Sequence, residues 1–107
     1  MNLVQEQHEL LNKLAVHIQD LRQRGLAFAN AECAYKIALA QKVVELRAEG
    51  MAVGIINQIV YGQPDVAKKR LERDIAQTMY EVAKEAINGT KLKIRITENQ
   101  LEREYRG

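Results

Sequence analysis

Apolar residues recur at intervals of three and four positions along the first half of the chain. Two interleaved seven-residue registers carry them. The first contains Val4, Leu11, Ile18, Leu39 and Leu46, and the second contains Leu14, Leu21, Phe28 and Tyr35. This spacing is typical of a helix with one apolar face, such as the seam of a coiled coil. It predicts a first long helix over residues 3–49.

Two glycines bear on the continuity and the end of this helix. Gly25 lies in its interior, where glycine costs about 1 kcal/mol relative to alanine. A break there is therefore the alternative to one long helix, but the apolar phase is kept across Gly25 and favours a continuous one. Gly50 follows Arg47 at a point suited to a left-handed residue, so the helix is predicted to end there.

A second long helix is predicted over residues 64–105, after an apolar connector at 50–63. Pro64 and Asp65 suit its first turn. Its apolar pattern again has two registers. One contains Tyr80, Ile87, Ile94 and Leu101, and its companion contains Ala76, Ala83, Thr90 and Thr97.

The segment 89–97 also has features of a strand. Asn88-Gly89 is a turn signal, and polar and apolar residues alternate strictly from Lys91 to Ile96. The seven-residue register runs through the segment unbroken, which favours helix, and a strand remains the alternative.

These patterns predict an all-α fold of one domain over residues 1–107. The two long helices would form an antiparallel, coiled-coil-like hairpin with a short connecting helix. A second apolar stripe on the last helix predicts assembly into a homo-oligomeric bundle, with a dimer favoured, or binding to another protein. The expected partner face comprises Leu71, Ile75, Met79, Val82, Ile87, Ile94 and Leu101.

Charge argues against a dedicated nucleic-acid binder, because 16 Lys and Arg residues stand against 14 Asp and Glu residues, a net charge of +2. A local basic patch keeps the alternative open. Residues 46–71 fit a helix-turn-helix, in which the start of the last helix would contact DNA. The candidate contacts are Lys68, Lys69, Arg70 and Arg73.

Signals for catalysis are lacking. The sequence has no nucleophile motif, phosphate loop or dinucleotide fingerprint. His8 and His17 lie nine residues apart, on opposite sides of one helix, so they cannot share a metal. We therefore expect neither an enzyme nor a cofactor or metal site.

The single cysteine and the apolar runs bear on where the protein is located. Cys33 is a lone cysteine in an Ala-rich stretch and is expected to be a buried small hydrophobic residue. No secretory leader and no apolar run long enough to span a membrane are visible. We therefore expect a cytoplasmic protein without membrane contact.

Several runs resemble small phage and prophage proteins of Gram-positive bacteria. They are residues 34–40 (AYKIALA), 45–50 (ELRAEG), 66–71 (VAKKRL) and 94–105 (IRITENQLEREY). The resemblance covers about residues 30–106 and rests on helical residues instead of a catalytic signature. It implies an accessory role in phage DNA metabolism and supplies no site residues. Together with the fold, it predicts a non-enzymatic coiled-coil assembly or adaptor protein.

Overall fold

The protein is an all-α helical hairpin, seen here in a computed structural model that describes residues 2–106. Helix α1 spans Leu3–Ala48, α2 spans Val53–Ile59, a short 3-10 helix spans Val60–Gly62, and α3 spans Pro64–Arg106. No strand occurs within the described residues. The contacts divide the chain into two compact units. Unit 1 joins the start of α1, up to Arg24, to α3 from Met79 onward, and unit 2 comprises Gly25–Thr78.

The predicted helix bounds agree with the observed ones to within one residue at each end. The chain remains helical through Gly25, so the alternative of a break there is wrong. Residues 89–97 are also helical, and the strand alternative is wrong as well. Asn2 caps α1, because its Oδ1 accepts a hydrogen bond from the Gln5 amide at 2.7 Å.

Gly50 ends α1 in the way that the sequence predicts. Its φ of +87° is left-handed, and it is the residue in this conformation among those described. The Gly50 amide donates to the Arg47 carbonyl at 2.9 Å, and the Met51 amide donates to the Leu46 carbonyl at 3.2 Å. These two bonds form a Schellman motif, which is usually accompanied by an apolar contact across the turn. Here Met51 packs against the cluster that contains Leu46.

The connector supplies much of the core of unit 2. Its Ile56 and Val60 are 1% and 3% exposed, and Val66, in the first turn of α3, is 0% exposed. Leu46, Ile56 and Val60 form one cluster, against which partly buried side chains of α1 and the connector pack. The apolar residues of segment 51–61 therefore close the end of the hairpin by covering the last turn of α1.

Ion pairs join α1 to α3 within unit 2 and define their direction. Lys42 Nζ lies 3.0 Å from Asp65 Oδ2, and Arg73 Nη1 lies 3.0 Å from Glu32 Oε2. The earlier residue of α1 thus pairs with the later residue of α3, as the antiparallel prediction requires. The hydrogen bond from Lys42 lowers the pKa of the Asp65 carboxyl, and bonds to Asp65 and Glu45 raise the pKa of Lys42.

In unit 1 the two registers predicted for α3 form its buried face. Most of their members are buried, and Tyr80 and Leu101 are half-buried. The buried set is Ala83, Ile87, Thr90, Ile94 and Thr97. The Thr97 hydroxyl donates to the Lys93 carbonyl at 2.9 Å, which satisfies a buried polar group within its own helix.

The first register predicted for α1 is wrong in unit 1, whereas Leu14 and Leu21 of the second register are half-buried there. Leu10 is buried there, whereas Leu11 and Val4 are 49% and 60% exposed and Ile18 is 37% exposed. The reason is helical geometry. An α-helix falls about 20° behind a seven-residue repeat with each heptad, so five heptads shift the face by about one residue. Leu46 is buried in unit 2 as predicted, and the register that includes it runs one residue out of phase by the start of α1.

We expect Ile56→Ala to lower the free energy of unfolding by about 2–5 kcal/mol, because it leaves a cavity beneath the connector. The matched control is Ile55→Ala at the neighbouring position, where the side chain is 52% exposed. This control should cost less than about 1 kcal/mol. Urea titrations followed by circular dichroism measure both values. Equal losses for the two variants would contradict the core described here.

Two glycine substitutions should act in opposite directions. Gly50→Ala forces a side chain into a left-handed conformation, at a cost of about 1–2 kcal/mol. Gly54 lies within α2, and a Cβ added there meets no atom within 4 Å. Gly54→Ala should therefore stabilise the protein by about 0.4–1 kcal/mol. Melting temperatures that move in the same direction for both variants would show that the turn at Gly50 is not as described.

Candidate interaction site

Exposed apolar side chains occur on α3 in each of the two units. Leu71 and Ile75, in unit 2, are 59% and 55% exposed. Met79 and Val82, in unit 1, are 38% and 59% exposed. We call these four residues the α3 outer row. Spacings of four, four and three residues place them on one side of the helix.

The other three residues of the predicted partner face lie elsewhere. Ile87 and Ile94 are 7% and 8% exposed, and Leu101 is half-buried. Their placement on a partner face therefore needs correction, because these side chains belong to the buried register of α3 in unit 1. The sequence indicated both roles for this register, and the structure gives it the internal one.

Arg73 is the most engaged of the four candidate nucleic-acid contacts. Its guanidinium binds Glu32 across the hairpin, and its Nε lies 2.7 Å from Asp74 Oδ1. The same group lies 4.8 Å from the ring centroid of Tyr35, which is buried. The hydrogen bond from Arg73 lowers the pKa of the Glu32 carboxyl, and the bonds to Glu32 and Asp74 raise the pKa of Arg73. Arg73 thus stabilises the contact between α1 and α3.

The neighbouring cations are less constrained. Lys69 Nζ lies 3.3 Å from Glu72 Oε2, a surface pair of the kind that contributes little. The Arg70 guanidinium lies 5.7 Å from the ring centroid of Tyr61, and Lys68 is exposed. Lys68, Lys69 and Arg70 therefore lie together at the start of α3, whereas Arg73 is held by intramolecular partners.

A second apolar row, which the sequence analysis did not single out, lies on α1 in unit 2. Ile37 follows the buried Tyr35 by two residues, which is about 200° around the helix. The members of this row are all exposed and recur at helical spacing: Leu26, Ala29, Cys33, Ile37, Ala40 and Val44. We call this set the α1 outer row. Its spacing of three and four residues was the available signal, and it lies within the Ala-rich stretch in which Cys33 was expected to be buried.

Cys33 is exposed, so the prediction that it is buried is wrong. Tyr35 contacts Arg73 of α3 and Leu46 packs against the connector, and the helical spacing places Cys33 on the opposite side of α1. With Ala29, Ile37 and Ala40 it lines a shallow groove, whose edge carries Glu32 and Lys36.

Other chemistry finds little support in the geometry. No group of three His, Cys, Asp or Glu side chains in residues 2–106 is placed to hold a metal ion. Over the same residues, neither long helix contains a stretch apolar enough to cross a membrane. The site is therefore described by its two outer rows and by the basic cluster at the start of α3.

Comparisons with known proteins give no further assignment. No protein-family model, no curated protein and no solved structure matches this chain.

Proposed function

We propose that this protein is a non-enzymatic, coiled-coil-type assembly or adaptor protein that associates through the α3 outer row. The exposure of that row carries the proposal, because Leu71, Ile75 and Val82 are each more than half exposed. A homo-oligomer is the expected assembly, with a dimer favoured, and another helical protein is the alternative partner.

The energetic argument follows from the hydrophobic effect. Fully burying one large aliphatic side chain contributes about 1.5–3 kcal/mol relative to exposure. Leu71, Ile75, Met79 and Val82 could together contribute several kcal/mol, although association entropy offsets part of this. A helix that presents such a row at spacings of three and four residues suits the groove of another helix.

Charges around the row support a helical partner over a membrane surface. Lys68, Asp74 and Glu85 are exposed and lie near its margins. A mixed-sign polar rim around an apolar centre is typical of protein interfaces. In coiled coils, flanking charges of both signs also select the partner and its orientation.

The biological setting in this proposal comes from the resemblance to small phage and prophage proteins. We propose a phage-encoded protein, acting in the cytoplasm as an accessory to phage DNA metabolism. An adaptor without catalytic groups of its own would act there by bringing other proteins together.

The double substitution Leu71→Asp with Ile75→Asp should abolish self-association through the α3 outer row, because it places two charges within that row. Sedimentation velocity at micromolar concentrations should shift to a smaller species than the wild-type assembly, with helix content preserved. A matched control is Leu92→Asp with Ile96→Asp, a pair of the same types and spacing that is 54% and 48% exposed. Lys91, Lys93 and Arg95 surround that pair and would have to be desolvated in an interface, so the control should remain oligomeric. A monomeric wild type across this range would refute the homo-oligomer.

DNA binding through Lys68, Lys69 and Arg70 is the alternative function. These exposed and half-buried cations lie close together at the start of α3. The engagement of Arg73 with Glu32 and Asp74 favours assembly, since it removes one of the four candidate phosphate contacts.

Gel shifts with duplex DNA at several salt concentrations distinguish the two functions. Assembly predicts that a variant combining Lys68→Ala, Lys69→Ala and Arg70→Ala remains oligomeric and that wild type shows no salt-sensitive shift. DNA binding predicts a wild-type shift that weakens steeply with salt and is lost in the triple variant. The second result would overturn the assignment of assembly as the main function.

A further inference from the structure

The ends and the centre of the α1 outer row are placed symmetrically about Tyr35. Leu26 and Val44, the large residues at its ends, each lie nine positions from Tyr35. Cys33 and Ile37, at its centre, each lie two positions from Tyr35. At these two levels the row therefore has apolar side chains at equal distances on either side of its midpoint.

The intermediate positions pair unlike residues. On one side of the midpoint stand Ala29 and Asn30, and on the other stand Ala40 and Gln41. Each side thus has one small apolar residue beside one amide, and all four are exposed. If a second copy of α1 lay antiparallel across the row, each alanine would face an amide-bearing position of the other copy. Small side chains at these levels allow the two helices to approach closely.

The charges at the edge of the groove are complementary under the same packing. Glu32 and Lys36 lie along one edge, three positions before and one position after Tyr35, and Lys36 Nζ lies 3.6 Å from Glu32 Oε1 within the chain. In an antiparallel pair of identical helices, equivalent edges meet. Glu32 of each copy would then lie near Lys36 of the other, which gives two reciprocal pairs of opposite charge.

We propose that the α1 outer row is a twofold interface with a second copy of this chain, packed antiparallel with its axis near Tyr35. In an isologous interface, each contact occurs twice, with the roles of the two copies exchanged. Packing of this kind would place Leu26 of each copy opposite Val44 of the other and Cys33 opposite Ile37, and it would bring opposite charges together at the edge, so the surface is complementary to itself. The interface is separate from the α3 outer row and does not depend on it.

Single-cysteine variants test the direction of packing. In a Cys33→Ala background, Leu26→Cys and Val44→Cys each place one thiol at an end of the row. The two positions are about 27 Å apart along the helix. In an antiparallel dimer of either variant alone, the two thiols therefore lie too far apart for a short bismaleimide. In a mixture of the two variants, a thiol at position 26 faces one at position 44 of the other copy.

The expected result is a covalent dimer as the main cross-linked product in the mixture and little product in either variant alone. Cross-linking within each variant alone would indicate parallel packing and overturn the proposal. An absence of product in the mixture above that of a urea-unfolded sample would overturn it as well. All the substituted positions are exposed, and circular dichroism verifies that helix content is kept.

A charge substitution at the centre separates this interface from the α3 outer row. Adding Ile37→Glu to the cysteine variants should reduce the cross-linked dimer about tenfold or more. Ile75→Glu is the matched control, because Ile37 and Ile75 are 53% and 55% exposed. Ile75→Glu should weaken assembly through α3 and leave the cross-link unchanged. Equal yields with and without Ile37→Glu would refute the α1 interface, whereas loss with Ile75→Glu alone would transfer the contact to α3.

Discussion

An isolated helix of more than forty residues in water depends on cover for its apolar side, because helix propensity alone contributes little. In this chain α1 and α3 provide that cover for each other, with side chains at alternating three- and four-residue steps. Mutual burial uses one face of each helix, while α2 and the 3-10 helix close the end of the pair around Ile56 and Val60. Apolar residues on the opposite sides of the two helices remain exposed, and these residues form the candidate interaction surfaces.

Much of this fold follows from local sequence. The end of α1 at Gly50 and the start of α3 at Pro64 were predictable, because each depends on backbone preferences of one or two residues. The buried registers of α3 were predictable for a similar reason, since one seven-residue repeat of apolar residues runs unbroken from Tyr80 to Leu101. The exposure of the first α1 register was not, because Leu10 and Leu11 are both leucines and only the accumulated rotation of the helix decides which one is buried.

The candidate site was less accessible to sequence reasoning. The exposure of Leu71 and Ile75 agrees with a second apolar stripe that the spacing already indicated. The use of Arg73 as an internal contact could not be foreseen, because Glu32 lies 41 residues away in the sequence. The exposure of Cys33 was missed for the same physical reason as the seam. A small residue in an Ala-rich helix gives little indication of which side faces outward.

The Thr97 hydroxyl donates its hydrogen bond within α3, so it does not help to fix the alignment of α3 against α1. A contact face built from heptad repeats makes similar contacts when one helix is shifted by seven residues along the other. Polar groups that bond within their own helix do not change this, so such a face discriminates weakly between neighbouring alignments. The alignment must then be set by features that do not repeat. Near the turn these are the short connector and the Lys42–Asp65 pair, and in unit 1 the Gln7 amide donates to Glu98 at 3.3 Å. The turn therefore fixes which residues of α1 lie opposite which residues of α3 in unit 2.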